Sequence, residues 1–260
     1  RSSDLRATYT EKNGGSAGQK LKGDSQTALF ALGARYALGE AISLIGGIQQ
    51  GMTPVAPDPG NTTSEPERAL NYELGVRYAD ANGTFSFISF VSDDDRVVAP
   101  CDEQCASSMT GTYAGGRALI TGTEVGGDYT VKLPSALTLP VRLAYTYTYA
   151  EFSDEFETDY VIWGGGDGRV DGGDLMPYVP PHQASFGSGL HFQERAGFDA
   201  QVTFMDRMRE EAGQGALQTG RYTDRFALLE LTVFWQALEK LRLYVKGENL
   251  KNNQPIVSRR

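Results

Sequence analysis

The chain has 260 residues, 22% charged and 40% hydrophobic, with a formal net charge of -9. That balance excludes a nucleic-acid binder, whose affinity for phosphate rests on clustered Lys and Arg. No run approaches the roughly 18 to 20 apolar residues of a spanning helix, which excludes a helical membrane protein. The low mean hydropathy of -0.36 leaves one membrane class open, because a transmembrane barrel alternates outward apolar with inward polar side chains.

Period-two alternation dominates the chain, and no stripe at helical spacing competes with it. It predicts strands at about 3–11, 25–38, 40–51, 68–80, 84–97, 116–132, 136–152, 182–194, 197–210, 222–237 and 240–250. In 68–80, Tyr72, Leu74, Val76 and Tyr78 oppose Asn71, Glu73, Gly75 and Arg77. In 136–152, Val141, Leu143, Tyr145, Tyr147 and Tyr149 oppose Arg142, Ala144, Thr146 and Thr148. Ala184, Phe186 and Leu190 oppose Gln183, Ser185 and His191; Phe198, Ala200, Val202 and Phe204 oppose Asp199, Gln201 and Thr203. Ala227, Leu229, Leu231, Val233 and Trp235 alternate with Glu230 and Thr232, and Leu241, Leu243 and Val245 oppose Arg242, Tyr244 and Lys246. Successive strand side chains point to opposite faces, so each segment has one apolar and one polar face.

The connections sort by length. Short turns centre on Leu38-Gly39-Glu40, Asp80-Ala81-Asn82-Gly83, Pro134-Ser135, Arg195-Ala196-Gly197 and Leu238-Glu239-Lys240. Long segments at about 52–67, 98–115, 153–181 and 211–221 lie between them. Short turns on one rim and long loops on the other describe an all-β, antiparallel transmembrane β-barrel of the outer-membrane type. About eleven strands is an odd count where bacterial barrels are even, and an open edge cannot face lipid. The reading is therefore a partial barrel, with a further strand expected beyond the loop-like Asn252–Arg260 segment. Two alternatives stay open. A smaller closed barrel of about ten or twelve strands, acting as a passive pore or adhesin, would pair residues 1–11 with the last strand. A soluble β-sandwich binding module would gather Tyr145, Leu231 and Val245 into one core.

Five stretches carry a resemblance to a known family. They are Glu65-Pro66-Glu67-Arg68-Ala69-Leu70-Asn71-Tyr72-Glu73-Leu74-Gly75-Val76-Arg77-Tyr78; Gly122-Thr123-Glu124-Val125; Tyr145-Thr146-Tyr147-Thr148-Tyr149-Ala150-Glu151-Phe152; Met176-Pro177-Tyr178-Val179-Pro180-Pro181-His182-Gln183; and Gly247-Glu248-Asn249-Leu250 with Ile256-Val257-Ser258-Arg259-Arg260. In this order they resemble the TonB-dependent outer-membrane receptors, within them the ferric-citrate-receptor-like branch. The resemblance implies a 22-stranded barrel, of which residues 1–260 would be the C-terminal part, without the plug domain and the last strand. It further implies a transport receptor rather than an enzyme, in the outer membrane of a Gram-negative bacterium. Its partners would be the lipid bilayer, the TonB complex through an N-terminal region outside this chain, and an iron chelate. Ferric citrate or a related siderophore would be the cargo, with no resident cofactor.

Few residues suggest chemistry. Cys101 and Cys105 lie in a presumed external loop, where their spacing can close a small disulfide; a metal-binding pair is the alternative, without further Cys or His ligands nearby. Asp167, Asp171 and Asp174 have partial EF-hand spacing, but Arg169 and Tyr178 fall where a ligand and the bidentate Glu are needed, so a solvated acidic loop is the better reading. Binding an anionic ferric chelate needs guanidinium groups and hydrogen-bond donors above the lumen. Arg207, Arg209, Arg221, Arg169, Trp163 and Gln183 are the candidates; ion pairing at the rim is the competing reading for each. His182 and His191 have no nucleophile beside them, and no phosphate loop or zinc motif occurs.

Overall fold

Alternating aromatic or β-branched and polar residues suit a pleated ribbon with two unlike faces. In a computed structural model of the chain, residues 3–8, 24–53, 66–101, 111–158, 160–164, 167–193 and 195–258 are described. The strands are β1 (Ser3–Thr8), β2 (Asp24–Leu29), β3 (Ala31–Ala37), β4 (Ile42–Thr53), β5 (Glu67–Ala79), β6 (Gly83–Asp94), β7 (Val98–Cys101) and β8 (Gly111–Ala114). They continue as β9 (Ala118–Leu133), β10 (Leu137–Phe152), β11 (Phe156–Glu157), β12 (Arg169–Val170), β13 (His182–Phe192), β14 (Ala196–Met205), β15 (Phe226–Leu238) and β16 (Leu241–Gly247). One helical turn, α1 (Val161–Gly164), precedes β12.

Ten strands form one sheet in the order β16-β15-β14-β13-β10-β9-β6-β5-β4-β3. Every neighbouring pair is antiparallel. The sheet is open in this chain, with β3 and β16 at its edges. Among the described residues β1 pairs with β2, in a separate two-stranded sheet, and not with β16.

Each predicted segment contains a strand, with differences at the ends. The 25–38 segment is two strands interrupted at Phe30, whose carbonyl accepts from the Gln50 amide at 2.9 Å. The 197–210 and 222–237 segments meet only from Met205 and Phe226. Above them the Met208 amide donates to the Thr223 hydroxyl at 3.0 Å, so a side chain replaces a ladder carbonyl and regular pairing stops. The last segment ends at Gly247, because Asn249 (φ 47°) and Asn252 (φ 49°) turn the chain. The predicted loop 98–115 holds the β7–β8 hairpin, and 153–181 holds β11, α1 and β12.

The register carries one apolar face across the whole sheet. Tyr36, Leu44, Val76, Phe87, Val125 and Tyr145 follow one another strand by strand, then Ala184, Phe204 and Ala227. Among the described residues no second sheet covers these side chains: Leu74 is 70% exposed, Leu231 41% and Val245 76%. Soluble proteins do not leave so wide an apolar face uncovered, so the sandwich reading fails and the face is the lipid face. The opposite face carries Arg35, Glu73, Arg77, Glu124, Arg142 and Lys246, as a lumen wall does.

Aromatic rows bound the lipid face. Near the short turns, Phe85 and Tyr129 stack at 5.9 Å, and the hydroxyls of Tyr78 and Tyr129 donate to Asp80 at 2.8 and 3.1 Å. Asp80 also accepts the Asn82 and Gly83 amides at 2.8 and 3.0 Å; the Asn82 bond, foremost, holds its carboxyl below the usual range. Near the long loops, Tyr145 shares a hydrogen bond of 2.9 Å with His182 Nδ1, and Tyr147 and Tyr149 lie above. Tyr129 aligns with Val141, eight residues below Tyr149. At ~3.4 Å per residue and a tilt of ~40°, the rows are ~20 Å apart in height, close to the ~25 Å apolar band of outer-membrane barrels.

Candidate ligand site at the long-loop rim

At the top of β10 the alternation breaks in an informative way. Phe152 continues the polar-face series of Arg142, Ala144 and Thr146, yet it is 0% exposed. It is covered by residues that follow it in the chain. Trp163 meets Phe152 edge-on at 5.5 Å, Phe156 meets Phe152 at 5.3 Å, and Tyr160 stands perpendicular to Trp163 at 5.3 Å. Val170 completes this core, with Val97, Ile162, Met176 and Ala212 around it.

Backbone bonds tie three loops to that core. The Ser153 amide donates to Arg117, Phe152 to Asp174, Met176 to Ala150, Leu175 to Gly213 and Ala212 to Ile162, at 2.8 to 3.2 Å. Leu175 is bridged to both Glu151 and Gly213, so the returning chain stands beside β10 like a short extra strand. The loops after β6, β10 and β14 thus form one packed crown, rooted on the polar-face side of the sheet.

The crown leaves a hollow of about 330 Å³ lined by Thr148, Leu175, Val179, Arg207, Arg209 and Leu217, among others. The Arg207 guanidinium lies 4.9 Å over the Tyr222 ring. Its Nε is buried and, among the described residues, has no hydrogen-bond partner. Arg209 donates from Nη2 to the Gly215 carbonyl at 3.0 Å, and burial lowers its pKa from the ordinary value, opposed by nearby Asp174. Neither arginine forms an ion pair among the described residues. Arg209 also lines a smaller neighbouring hollow of about 110 Å³, shared with Arg221, Glu211 and Gln218.

The other predicted site residues are placed differently. Arg221 is ion-paired to Glu211. Arg169 binds Glu155 at 2.7 Å and Asp171 at 2.8 Å, and the Asp171 bond above all raises its pKa. Trp163 is 5% exposed, its indole packed inside the crown. Gln183 sits lower on the wall, in register with Thr146 and Met205. Asp167 accepts the Arg169 amide and Asp174 the Asp171 amide, at 3.2 and 2.9 Å. Among the described residues no group of three or more potential ligands could hold a metal ion. Cys101 ends β7, and Cys105 lies outside the described residues, so their pairing does too. Tyr222, Leu175 and Leu217 were not anticipated. The close spacing of Phe152, Phe156, Tyr160 and Trp163 in a supposed loop was the signal that a folded crown was there.

The profile of a family described as "TonB dependent receptor-like, beta-barrel" matches residues 2–250. The chain belongs to the TonB-dependent receptor β-barrel family. Receptor barrels of this family are outer-membrane proteins of Gram-negative bacteria. Solved receptors share its fold. The siderophore receptor PiuA from Acinetobacter baumannii superposes with a TM-score of 0.72 at 15% identity, covering 98% of this chain and 36% of that one. The ferric-catecholate import receptor Fiu from E. coli K12 gives 0.66 at 15% identity, covering 98% and 37%. The unliganded ferric citrate transporter FecA gives 0.63 at 19% identity, covering 91% and 35%. This receptor chain therefore spans about a third of the length of the receptors it resembles. No curated protein sequence matches it.

Proposed function

We propose that the receptor containing this chain takes up an anionic ferric chelate, ferric citrate or a related siderophore, across the outer membrane. The chain supplies the C-terminal part of the barrel wall and part of the external crown. Energy would come from the TonB complex, through an N-terminal region beyond this chain. One observation carries the reading: Arg207 and Arg209, in no ion pair among the described residues, share a hollow under a folded crown at the long-loop rim. Guanidinium groups not locked in an ion pair are suited to an incoming anion. Arg169 and Arg221, each held by acids, support the crown in this reading.

The test is uptake of radiolabelled iron by a strain whose only ferric-chelate receptor is this protein in full length. Saturable uptake that stops when TonB is deleted is the expected result. Chelate-independent leakage, unaffected by TonB, would point to a passive pore instead.

A further inference from the structure

The polar face of the sheet carries a second hollow, well below the crown. It measures about 800 Å³, room for a whole small-molecule ligand. Short side chains build its floor. Ser86, Gly126 and Ala144 follow one another in register across β6, β9 and β10, and Thr84 faces Asp128 one row nearer the short turns. Arg77, opposite Ser86 on β5, and Arg142, opposite Asp128 on β10, stand at its two sides. Phe85 and Val141, alternates in the same strands that border the hollow, belong to the lipid-face series.

Its charge is unbalanced. Neither Arg77 nor Arg142 forms an ion pair among the described residues, although Asp128 lines the same hollow. The Thr84 hydroxyl donates to Asp128 at 3.4 Å. A third guanidinium is close by: Arg35 donates to Ser43 at 3.0 Å, and Ser43 is the register partner of Arg77. Two guanidinium groups against one carboxylate leave a net positive hollow, which draws anions along a polar wall. The carboxylate keeps that attraction modest, and a passage needs sites that bind well enough to fill and weakly enough to empty. Arg142 lies six residues below Thr148 of the rim hollow on the same strand, ~16 Å lower at ~3.4 Å per residue and a tilt of ~40°.

We infer, resting on the uptake reading above, that Arg77 and Arg142 form a relay site on the lumen wall. It receives the anionic chelate after it leaves the crown and passes it toward the short-turn mouth. The acidic oxygens of the chelate lie between the two guanidinium groups, and Asp128 limits how long they stay.

The experiment uses cells whose only ferric-chelate receptor is this protein in full length, with radiolabelled ferric citrate as the probe. Binding is measured with TonB deleted and uptake with TonB present. Arg77→Gln combined with Arg142→Gln is expected to leave the binding constant at the rim unchanged. The maximal uptake rate should fall about tenfold, the effect of losing one charged hydrogen bond. Arg142→Lys, which keeps the charge, should retain most of the rate. Titration of the purified receptor should show a second, weaker ferric-citrate step, lost in the double variant and tightened by Asp128→Asn. Uptake indifferent to the double variant, or a titration without the second step, overturns the relay site and leaves the uptake reading standing. A slow rate that Arg142→Lys does not restore overturns it too, and new protease cutting of the N-terminal region would then assign the arginines to holding that region. Neither binding nor TonB-dependent uptake by the unaltered receptor overturns both readings.

Discussion

Gly115 lies flat against the indole of Trp163: a Cβ at this glycine would stand 2.4 Å from Cζ3. Gly116 has the same relation to Phe156, whose Cδ1 would be 2.7 Å from a Cβ. The chain entering β9 thus closes one side of the crown core, and only glycine permits the approach.

Gly115→Ala is therefore expected to push Trp163 out of its packed position. Trp163→Ala removes the ring altogether, a loss of about 3–5 kcal/mol for a buried aromatic. The readout is the Trp163 contribution to the receptor's fluorescence, taken as the difference from a Trp163→Phe variant, together with protease cutting in the loop after β10. Gly115→Ala should red-shift the emission and speed cutting, while strand signals stay unchanged. An unshifted emission would mean the indole is not packed on this backbone.

The lipid face makes a sharper demand. Leu74 and Glu73 are adjacent in sequence but lie on opposite faces of β5. Leu74→Arg places a charge in the apolar band and should destabilise the barrel by about 2–4 kcal/mol. Glu73→Arg, on the polar face, should change stability much less. Unfolding of the full receptor in lipid vesicles distinguishes them. Equal losses at both positions would contradict the assignment of faces.

Much of this was legible in the sequence. The alternation at Tyr72–Tyr78 and Val141–Tyr149 names the lipid-facing residues directly, because a period of two has only two settings. The crown was not legible, because its order comes from contacts between segments far apart in sequence, Gly115 with Trp163 and Ala212 with Ile162. Among the arginines, sequence could name the set but not sort it. Arg169 and Arg207 read alike until the loop brings Glu155 and Asp171 to the first and Tyr222 to the second.

Asp80 gives a pH-dependent prediction at the short-turn rim. Its folded pKa is lowered from 3.8, chiefly by the Asn82 amide and then by Tyr78. A lowered carboxylate contributes stability that is fully present above the unfolded value and lost as pH falls through the folded value. The stability difference between the native protein and Asp80→Asn should thus hold steady from neutral pH down to about pH 5 and shrink below about pH 4. Urea unfolding across that range measures it, and a difference that grows with acid would contradict the hydrogen-bond assignment.

The β9–β10 turn offers a gain. Ser135 (φ 62°) and Ala136 (φ 57°) both occupy left-handed backbone, as in a hairpin turn that favours Asn-Gly. Replacing Ala136 by glycine should stabilise the hairpin by about 1 kcal/mol, the usual left-handed cost of an L residue. The midpoint of thermal or urea unfolding should rise; a fall would mean that the alanine methyl has a packing role.

The two aromatic rows have a consequence beyond anchoring. Because Tyr129 and Tyr149 are joined through one continuous hairpin, their separation is set by covalent geometry and cannot stretch. The surrounding lipid must conform to the protein, thinning or tilting its chains where its own thickness differs. The chain therefore acts as a gauge, at home in a thin bilayer and under elastic load in a thick one.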